Sequence, residues 1–483
     1  MDWASGYVAD VPYTSGYYPD TAPAHQALAA LIAGYGAPEV DRPFRYLELG
    51  CGTGFGLATL AAANPHAEFL GVDFMPAHVA AGRRLASAAG LSNLRIIEAS
   101  FETLAQAWPF GEFEFAVMHG VYTWVSPQVQ GSLVRLLDQA LAPGGLLYVG
   151  YNNMAGFAGA LAAQKHLIET AARASGGSVQ RMHTALRSVI ELQKAGAAGV
   201  QLDQLPDEVC GPDGDPDKLS PAMLVYLAHE YLNQHWRPMF VTDLARDLGA
   251  AKLEFLGRSS LLDTLPALML SETQAGIVER APDRPMQELT TDLLSPTPFR
   301  RDVFARGAHR LSDARRSALL KAVELVLVME PDEFPMSLAV RTGQLELEEA
   351  VYRPIIQRLA QGPAPVSELI TLGRKGGAVG SPAEIIAVLE GSGAAAVAAR
   401  TPADPAAVRR FNAALVQASR DQTMVRYSLA AAATGAGVEM PLPQFLAYLI
   451  AAGEPEGLAG LDLEPLKEIA SGSRDFWSRL GML

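Results

Sequence analysis

The chain has 483 residues, enough to bury a large core and to form about two to four domains. Its formal net charge of −14 argues against a general nucleic-acid-binding function, because contacts to phosphates need a basic surface. Two cysteines form neither a disulfide framework nor a set of metal ligands, so no metal is expected. No uncharged apolar run reaches the length of a membrane span, and the N-terminus lacks signal-peptide features. Together these predict a cytoplasmic protein without a membrane span.

An aromatic arm followed by a helix is predicted for residues 1–43. The arm contains a cluster of four tyrosines, Tyr7, Tyr13, Tyr17 and Tyr18. Helix formers then run from Ala24 to Ala33, and glycines follow them. Two interpretations of the tyrosines stay open, since aromatic rings are most often packing material. They either cover a ligand pocket or hold the arm against its own helix.

A short apolar strand, Phe44 to Leu49, leads directly into a turn that contains three glycines. Glycine tolerates positive φ and lets the backbone approach a ligand closely. The strand also carries an acid, Glu48, next to its end. That carboxylate would repel the pyrophosphate of a dinucleotide, but it suits a ligand with a cationic, amino-acid-like end.

The residues after the glycines continue the pattern of a nucleotide-binding βαβ unit. Helix formers occupy Phe55 to Ala63, and a second strand, Glu68 to Val72, ends in Asp73. A carboxylate at that position can bind two ribose hydroxyls. The order of strand, loop, helix and strand therefore predicts an α/β fold with a ligand at the glycine turn.

Two motifs in this unit resemble those of class I S-adenosylmethionine (SAM) methyltransferases. E-L-G-C-G-T-G at 48–54 resembles their first motif, and G-V-D-F at 71–74 resembles their ribose-binding strand end. The resemblance implies a Rossmann-like sheet and SAM as the cofactor. In this superfamily an aromatic arm often covers the cofactor pocket, which adds Tyr13 to the expected contacts. The other expected cofactor contacts in this part of the chain are Glu48, Gly50, Cys51, Gly52, Gly54, Asp73 and Phe74.

Ser100 and Phe101 follow the third predicted strand, Leu94 to Glu98. Class I enzymes often carry an acid near this point that binds the adenine amine, with an apolar neighbour beside the ring. Ser100 and Phe101 are the nearest matches here. A hydroxyl or backbone groups are therefore expected to contact the adenine.

Polar and aromatic side chains follow the fourth predicted strand, Phe113 to Met118. They lie at the carboxyl edge of the sheet, where ligands bind in open α/β folds. His119 could serve as a base and could also line the cofactor pocket, while Tyr122 offers a hydroxyl and Trp124 an aromatic wall. These three residues are the candidate catalytic set. The alternative is that the two larger aromatic residues only pack the start of the next helix.

A long helical passage at 156–236 is predicted as an insertion after the core of 44–155. It would suit dimerisation or a lid, so a homodimer is one expectation. The core would be completed within 237–289. That stretch begins a helix with Thr242 as a candidate cap and continues into a sixth strand, Leu253 to Gly257.

Residues from 290 onward are predicted to form a separate, mostly helical α+β region. A basic stretch starting at Phe299 opens a winged-helix-like regulatory or substrate unit over 290–400, and helices follow over 401–483. DNA binding is not expected there. The acids Glu346, Glu348 and Glu349 interrupt any basic face, and the whole chain is acidic.

Motifs along the whole length resemble one family, the bacterial methyltransferases with a methyltransferase regulatory domain. This family includes rickettsial lysine methyltransferases that modify outer-membrane protein. The most particular stretches are H-G-V-Y-T-W-V at 119–125, L-A-H-E-Y-L-N at 227–233 and F-R-R-D-V-F-A-R-G at 299–307. The resemblance implies transfer of a methyl group from SAM to a lysine of a protein or peptide. Two alternatives are a small-molecule methyltransferase and a non-catalytic SAM-binding scaffold.

Overall fold

A seven-stranded sheet lies at the centre of the computed structural model, with the strand order β3-β2-β1-β4-β5-β7-β6. The structure describes residues 8, 10, 15–200, 205, 209, 213–378, 380–420, 424, 426–458 and 460–483. Neighbouring strands are parallel except for β7, which is antiparallel to both β5 and β6. The strands are β1 (Arg45–Leu49), β2 (Glu68–Asp73), β3 (Leu94–Glu98), β4 (Phe113–His119), β5 (Leu141–Asn152), β6 (Leu253–Arg258) and β7 (Phe299–Arg306).

Helices cover both faces of this sheet, which explains why its inner strands are continuous apolar runs instead of alternating patterns. Buried side chains of α1, α2 and α3 lie against one face, and those of α4, α5 and α10 lie against the other. This arrangement confirms the predicted class I methyltransferase-like α/β fold. The covering helices are α1 (Pro23–Ile32), α2 (Phe55–Ala63), α3 (Pro76–Ala89), α4 (Phe101–Gln106), α5 (Pro127–Ala140) and α10 (Val241–Gly249).

The strand register brings the ends of β1, β2 and β4 together at one edge. Leu49 is in register with Val72, and Glu48 with Val117. The glycine turn after β1 therefore lies beside Asp73 at the end of β2 and beside His119 at the end of β4. Residues that are far apart in the chain meet at this edge, as expected for a parallel α/β sheet.

β7 corrects the predicted domain boundary at residue 290. Its residues were expected to open the C-terminal unit, but they form the strand between β5 and β6. The charged run looks like a surface segment in the sequence, yet Arg300 and Asp302 are buried. The guanidinium of Arg300 binds both Asp302 and Asp292, so the charges neutralise one another inside the protein.

The insertion after β5 has a small hydrophobic core of its own. Leu167, Met182, Leu186 and Leu227 are buried members of that core. Part of the predicted loop at 202–220 lies outside the described residues. The insertion helices are α6 (Met154–Phe157), α7 (Leu161–Arg173), α8 (Ser178–Lys194) and α9 (Pro221–Leu232).

The chain returns to the sheet at α10, which begins at Val241 with Phe240 as its N-cap residue. No side chain caps this helix, and Thr242 lies within its first turn. The prediction of Thr242 as the cap was therefore wrong. Three further helices separate β6 from β7: α11 (Pro266–Met269), α12 (Glu272–Glu279) and α13 (Arg284–Leu294).

A second, three-stranded sheet with the order β11-β8-β12 follows the core. The succession of helix, strand, two helices and strand over 349–397 is compatible with the predicted winged-helix-like unit, with β8 supplied from upstream. A hairpin, β9–β10, precedes these helices. The elements are α14 (Asp313–Ala322), β8 (Glu324–Leu327), β9 (Ser337–Val340), β10 (Gly343–Glu346), α15 (Glu349–Leu359), β11 (Ala364–Pro365), α16 (Val366–Gly373), α17 (Pro382–Gly391) and β12 (Ala395–Val397).

The last part of the chain packs back onto the core, with α18 against α3 and the hairpin β13–β14 against α2. The hairpin differs from the prediction of helices alone over 401–483. Leu57 and Leu60 of α2 share one buried cluster with Phe411 and Leu429 of this region. None of the described helices is long and apolar enough to cross a bilayer. The elements are α18 (Pro405–Ser419), β13 (Ser428–Ala431), β14 (Ala436–Glu439), α19 (Leu442–Ala452), α20 (Glu464–Gly472) and α21 (Arg474–Arg479).

Candidate active site

The glycine turn between β1 and α2 has the geometry that its sequence predicts. Gly50, Gly52 and Gly54 have φ values of 79°, 53° and 69°, a region that favours glycine. A Cβ atom on Gly50 would lie 2.5 Å from the side chain of Val121, whereas one on Gly52 would meet nothing within 4 Å. The turn is therefore packed against the protein at Gly50 and open to a ligand at Gly52.

Asp73 ties the end of β2 to the glycine turn. Its Oδ2 accepts a hydrogen bond from the backbone N–H of Gly52 at 2.9 Å. Its Oδ1 accepts one from the N–H of Met75 at 2.9 Å and lies 3.3 Å from Nδ1 of His78. A carboxylate offers about four acceptor positions. Asp73 therefore keeps acceptor capacity for ligand hydroxyls next to the open side of the turn.

Glu48 lies at the end of β1, half-buried, on the edge where the glycine turn begins. Its carboxylate forms no hydrogen bond or ion pair with another described residue. Burial and the nearby negative charge of Asp73 raise the pKa of Glu48 to about 8. A desolvated acid without a partner is unfavourable, and a cationic ligand group would relieve that cost.

His119 sits at the end of β4 inside an aromatic enclosure. Its imidazole stacks on the ring of Tyr18 with centroids 3.8 Å apart, and it lies 5.8 Å from the ring of Tyr148 and 5.2 Å from that of Phe299. Its Nδ1 is 2.9 Å from the Tyr148 hydroxyl oxygen. Burial, with a smaller effect of the positive charge of Arg301, lowers the pKa of His119 to about 3. The ring is therefore neutral and a weak base, which fits a wall of the pocket better than the predicted base.

Tyr122 does not reach this enclosure, which corrects its predicted catalytic role. Its side chain is 1% exposed and belongs to the buried cluster on the opposite face of the sheet. Its hydroxyl donates a hydrogen bond to Oδ2 of Asp247 on α10 at 3.2 Å. Tyr122 packs the core, as the alternative interpretation of this aromatic residue proposed.

Trp124 lies at the junction between the core and the insertion. Its ring is 6.2 Å from that of Trp236, which in turn contacts Phe157 at 5.1 Å. The Trp236 Nε1–H donates to Oδ1 of Asn152 at the end of β5, at 3.2 Å. Trp124 therefore anchors the insertion beside the carboxyl edge of the sheet, away from the rings that surround His119.

The remaining predicted cofactor contacts have mixed surroundings. Ser100 caps α4, and its hydroxyl oxygen accepts a hydrogen bond from the Thr103 N–H at 3.2 Å. Part of its hydrogen-bonding capacity is therefore already used. Phe74 and Phe101 are half-buried beside the ends of β2 and β3. Burial raises the pKa of the Cys51 thiol well above its ordinary value, so the thiol stays protonated. Tyr13 lies outside the described residues.

Two family models match this chain. A methyltransferase domain matches residues 47–145, which hold the end of β1, the glycine turn, β2 to β4 and His119. A "predicted methyltransferase regulatory domain" matches residues 224–306. A protein of Synechocystis sp., sll1526, is 32% identical over 370 residues, covering 76% of this chain and 72% of that protein. The chain belongs to the class I SAM-dependent methyltransferases with a methyltransferase regulatory domain.

Solved structures support the fold of this methyltransferase. PKMT2 from Rickettsia typhi matches with a TM-score of 0.66 over 98% of this chain and 99% of that chain, at 17% identity. Its complex with AdoHcy (S-adenosylhomocysteine) matches with a TM-score of 0.63 at 16% identity, over 96% and 92% of the two chains. The regulatory-domain match contains α10, β6 and β7. Residues 224–306 of the enzyme therefore complete the central sheet. The regulatory unit had been predicted at 290–400 instead.

SAM is the cofactor of this enzyme family, and the residues at the sheet edge suit it. The half-buried Glu48 carboxylate matches a ligand that carries positive charge. The open face at Gly52 leaves room beside Asp73, whose carboxylate can accept hydrogen bonds from ribose hydroxyls. SAM consists of a nucleoside and an amino-acid tail. Asp73 suits its ribose, and Glu48 suits its positively charged tail.

The N-terminal arm supplies residues of the methyltransferase site that the sequence interpretation did not identify. The Ser15 hydroxyl lies 2.6 Å from the Thr53 hydroxyl in the glycine turn. Asp20 lies 3.4 Å from Arg301 of β7. Tyr18 belongs to the tyrosine cluster that was noticed in the sequence, but spacing alone could not select it. Phe299 opens the F-R-R-D-V-F-A-R-G stretch and Tyr148 lies on β5, but nothing in the sequence predicts that their rings lie beside His119.

Proposed function

We propose that this enzyme methylates the side-chain amine of lysine residues in a protein. The observation that carries the proposal is the enclosure formed by four rings, those of Tyr18, His119, Tyr148 and Phe299, at the carboxyl end of β4. The resemblance to rickettsial lysine methyltransferases supports the same acceptor.

A lysine amine is nucleophilic only after it has lost a proton. Transfer from water into an apolar site lowers the pKa of an amine, because desolvation disfavours the charged form. The rings around His119 provide such surroundings, and His119 itself carries no positive charge at neutral pH. The enclosure thus favours a neutral amine with a free lone pair and keeps water away from it.

Bound SAM supplies a methyl group on a positively charged sulfur; the sulfur–carbon bond breaks as the nitrogen–carbon bond forms, which leaves S-adenosylhomocysteine. Glu48 would hold the amino-acid end of SAM and Asp73 its ribose, so the acceptor would meet the methyl group in one orientation. The amine releases one proton to solvent before attack. No residue of the chain has to form a covalent bond.

An acceptor on a protein fits the position of the enclosure between three parts of the chain. Tyr18 comes from the arm and His119 from the core. Arg426 of the C-terminal region lies 5.2 Å from the centroid of the Tyr18 ring. Arg426 and Glu439 also line a surface pocket of about 390 Å³. A long lysine side chain could enter from this surface while the rest of the protein acceptor stays outside.

We further propose that the insertion acts as a lid. Its helix α8 is held by the arm, since the Asp10 carboxylate accepts hydrogen bonds from the Ser178 N–H at 2.8 Å and from its hydroxyl at 2.6 Å. A homodimer through the insertion is the alternative arrangement. Light scattering of the full chain tests the alternative, because only a homodimer predicts twice the mass of a single chain.

The test of the acceptor is methylation with radiolabelled SAM in protein and small-molecule fractions of a bacterial lysate. We expect label in protein that is recovered as methyl-lysine after acid hydrolysis. Label confined to small molecules would contradict the proposal and support the small-molecule alternative. SAM binding without any labelled product would support a scaffold. An Asp73→Ala variant controls for labelling by other enzymes in the lysate.

A further inference from the structure

We propose that Tyr18 presents the hydroxyl that orients the acceptor, and that Arg426 of the C-terminal region positions Tyr18. This inference rests on the proposed function, because it assigns residues to the acceptor end of the same site. The sequence pointed instead to Tyr122, whose hydroxyl is directed into the core toward Asp247.

The hydroxyl of Tyr18 differs from those of the fully buried tyrosines of the protein. Each of those has a hydrogen-bond partner within the chain. The Tyr18 hydroxyl has none among the described residues, although its ring is largely covered by the stack on His119. Tyr18 is half-buried, and its hydroxyl oxygen is not among the fully buried polar atoms without a partner, so this hydroxyl is open to a partner from outside the chain. The tyrosines with internal partners are Tyr17, Tyr46, Tyr122, Tyr148, Tyr151 and Tyr448.

The stack on His119 fixes where the Tyr18 ring can lie. The imidazole is itself held, since its Nδ1 lies 2.9 Å from the hydroxyl oxygen of Tyr148. Gly150 on β5 leaves no spare room on that side, because a Cβ atom there would come within 2.8 Å of the same nitrogen. The ring of Tyr18 therefore rests on a rigid platform at the end of β4.

Arg426 contacts Tyr18 from the C-terminal region. Its guanidinium carbon is 5.2 Å from the ring centroid, a distance typical of a cation–π contact. Arg426 also forms an ion pair with Glu439 of β14 at 3.2 Å. The same hairpin holds the preceding residue of the arm, since the Gly437 N–H donates to the Tyr17 hydroxyl at 3.0 Å. The C-terminal region thus fixes two successive tyrosines of the arm.

A surface pocket is lined by Arg426, the residue that contacts the Tyr18 ring, and in this proposal the acceptor enters there. Its lining includes the side chain of Glu439, which is 39% exposed. Glu439 is paired there with Arg426, so the pocket offers a carboxylate oxygen as a hydrogen-bond acceptor and no unpaired charge.

The hydroxyl can act as a hydrogen-bond acceptor for the amine. Burial raises the pKa of Tyr18, so its oxygen stays protonated and uncharged. That oxygen can accept an N–H of a neutral amine, which leaves the amine lone pair free for the methyl group. Tyr18 would touch the acceptor directly, whereas Arg426 would act only through Tyr18.

Binding of an acceptor probe tests this assignment without a known protein substrate. The full-length enzyme is saturated with S-adenosylhomocysteine and titrated by NMR with Nα-acetyl-lysine methylamide. We expect Tyr18→Phe to weaken binding of the probe about 2- to 10-fold, the loss of one hydrogen bond. The affinity for S-adenosylhomocysteine should stay within about twofold, because the ring remains in place. The matched control is Tyr352→Phe, which alters a tyrosine stacked on Phe334 in the C-terminal region and should change neither affinity.

A double-mutant cycle tests the positioning role of Arg426. Arg426→Gln should weaken probe binding in the presence of the Tyr18 hydroxyl, and Arg426→Lys should restore part of it. In the Tyr18→Phe background the Arg426→Gln substitution should weaken probe binding less, since Arg426 acts through the Tyr18 hydroxyl. If Arg426→Gln weakens probe binding equally in the two backgrounds, Arg426 acts independently of Tyr18, and its positioning role is overturned.

The outcomes separate this inference from the proposed function. Unchanged probe binding in Tyr18→Phe overturns the assignment of Tyr18. If p-cresol or acetate binds to the complex and the lysine probe does not, lysine is not the acceptor. In that case, if Tyr18→Phe no longer binds p-cresol or acetate, the Tyr18 hydroxyl still faces the acceptor. If Tyr18→Phe still binds them, the assignment of Tyr18 is overturned. If no probe binds, no acceptor site lies at Tyr18, and the inference fails.

Discussion

The carboxylates of Glu48 and Asp73 lie at the ends of adjacent strands, and the charge of Asp73 adds to burial in raising the pKa of Glu48 to about 8. Below that pH the free enzyme carries a protonated Glu48. A positively charged ligand favours the carboxylate, so SAM binding should release a proton below about pH 8, and SAM affinity should rise with pH up to that value.

Glu48→Gln should weaken SAM binding at high pH and remove this part of the pH dependence. Isothermal titration calorimetry in buffers of different ionisation enthalpy measures the proton release directly. The amino group of SAM also titrates near pH 8. Glu48→Gln measures the proton release that comes from this amino group alone. Identical proton release in the wild type and in Glu48→Gln would mean that Glu48 does not contact the cationic end.

Asp73→Asn should raise the dissociation constant for SAM about 10- to 100-fold, because charge-assisted hydrogen bonds to the ribose are lost. The increase in melting temperature that SAM produces should shrink accordingly, since the ligand stabilises only the folded state to which it binds. Asp475→Asn, at an exposed position of α21, is the matched control and should retain the full increase. A full increase in Asp73→Asn as well would refute the assignment of the ribose site.

Tyr122→Phe should leave turnover and SAM affinity unchanged, because the hydroxyl bonds to Asp247 within the core. We expect a loss of about 0.5 to 1.5 kcal/mol in the free energy of unfolding, measured by urea denaturation, for one hydrogen bond. A large fall in turnover with unchanged stability would restore the catalytic role predicted from the sequence.

Asp292→Asn should destabilise the enzyme by about 1.5 to 3 kcal/mol, since it weakens charge-assisted hydrogen bonds to two buried guanidinium groups. Glu288 and Asp302 remain as their counter-charges. Asp292 is fully buried and accepts hydrogen bonds from Arg300 and Arg258, both at 2.8 Å. Glu349→Gln, which breaks an exposed pair with Arg353, is the control and should cost less than about 1 kcal/mol. Similar urea midpoints for the two variants would contradict a structural role of the buried charges.

His25 links α1 to the C-terminal region. Its ring nitrogens face the Glu390 carboxylate and, at 2.8 Å, the Ser259 carbonyl oxygen, both of which only accept hydrogen bonds. Despite the opposing effect of burial, the negative charge of Glu390 raises the pKa of His25 to about 9. Its contribution to stability should be complete below about pH 6.5 and should be lost as the pH rises through about 9. His25→Gln should flatten this part of the stability profile measured by urea denaturation.

The sequence by itself determined the local geometry of the proposed cofactor site. The glycine turn, Glu48 and Asp73 depend on short-range features, namely an apolar strand, residues that tolerate positive φ, and an acid at a strand end. Parallel strands bring such ends to one edge in any sheet of this kind. The predicted helix at Phe55–Ala63 and strand at Leu94–Glu98 coincide with the observed elements for the same reason.

Only the tertiary structure decided the acceptor half and the limits of the core. Phe299–Arg306 forms a strand of the central sheet, where the buried Arg300 is neutralised by Asp302 of the same strand and by Asp292 of α13. No local pattern reveals that these charges are buried together. The choice between Tyr18 and Tyr122 depended on the face of the sheet that each ring occupies. That face is set by the path of the arm and by strand pairing across hundreds of residues, whereas the sequence shows only that both residues are tyrosines.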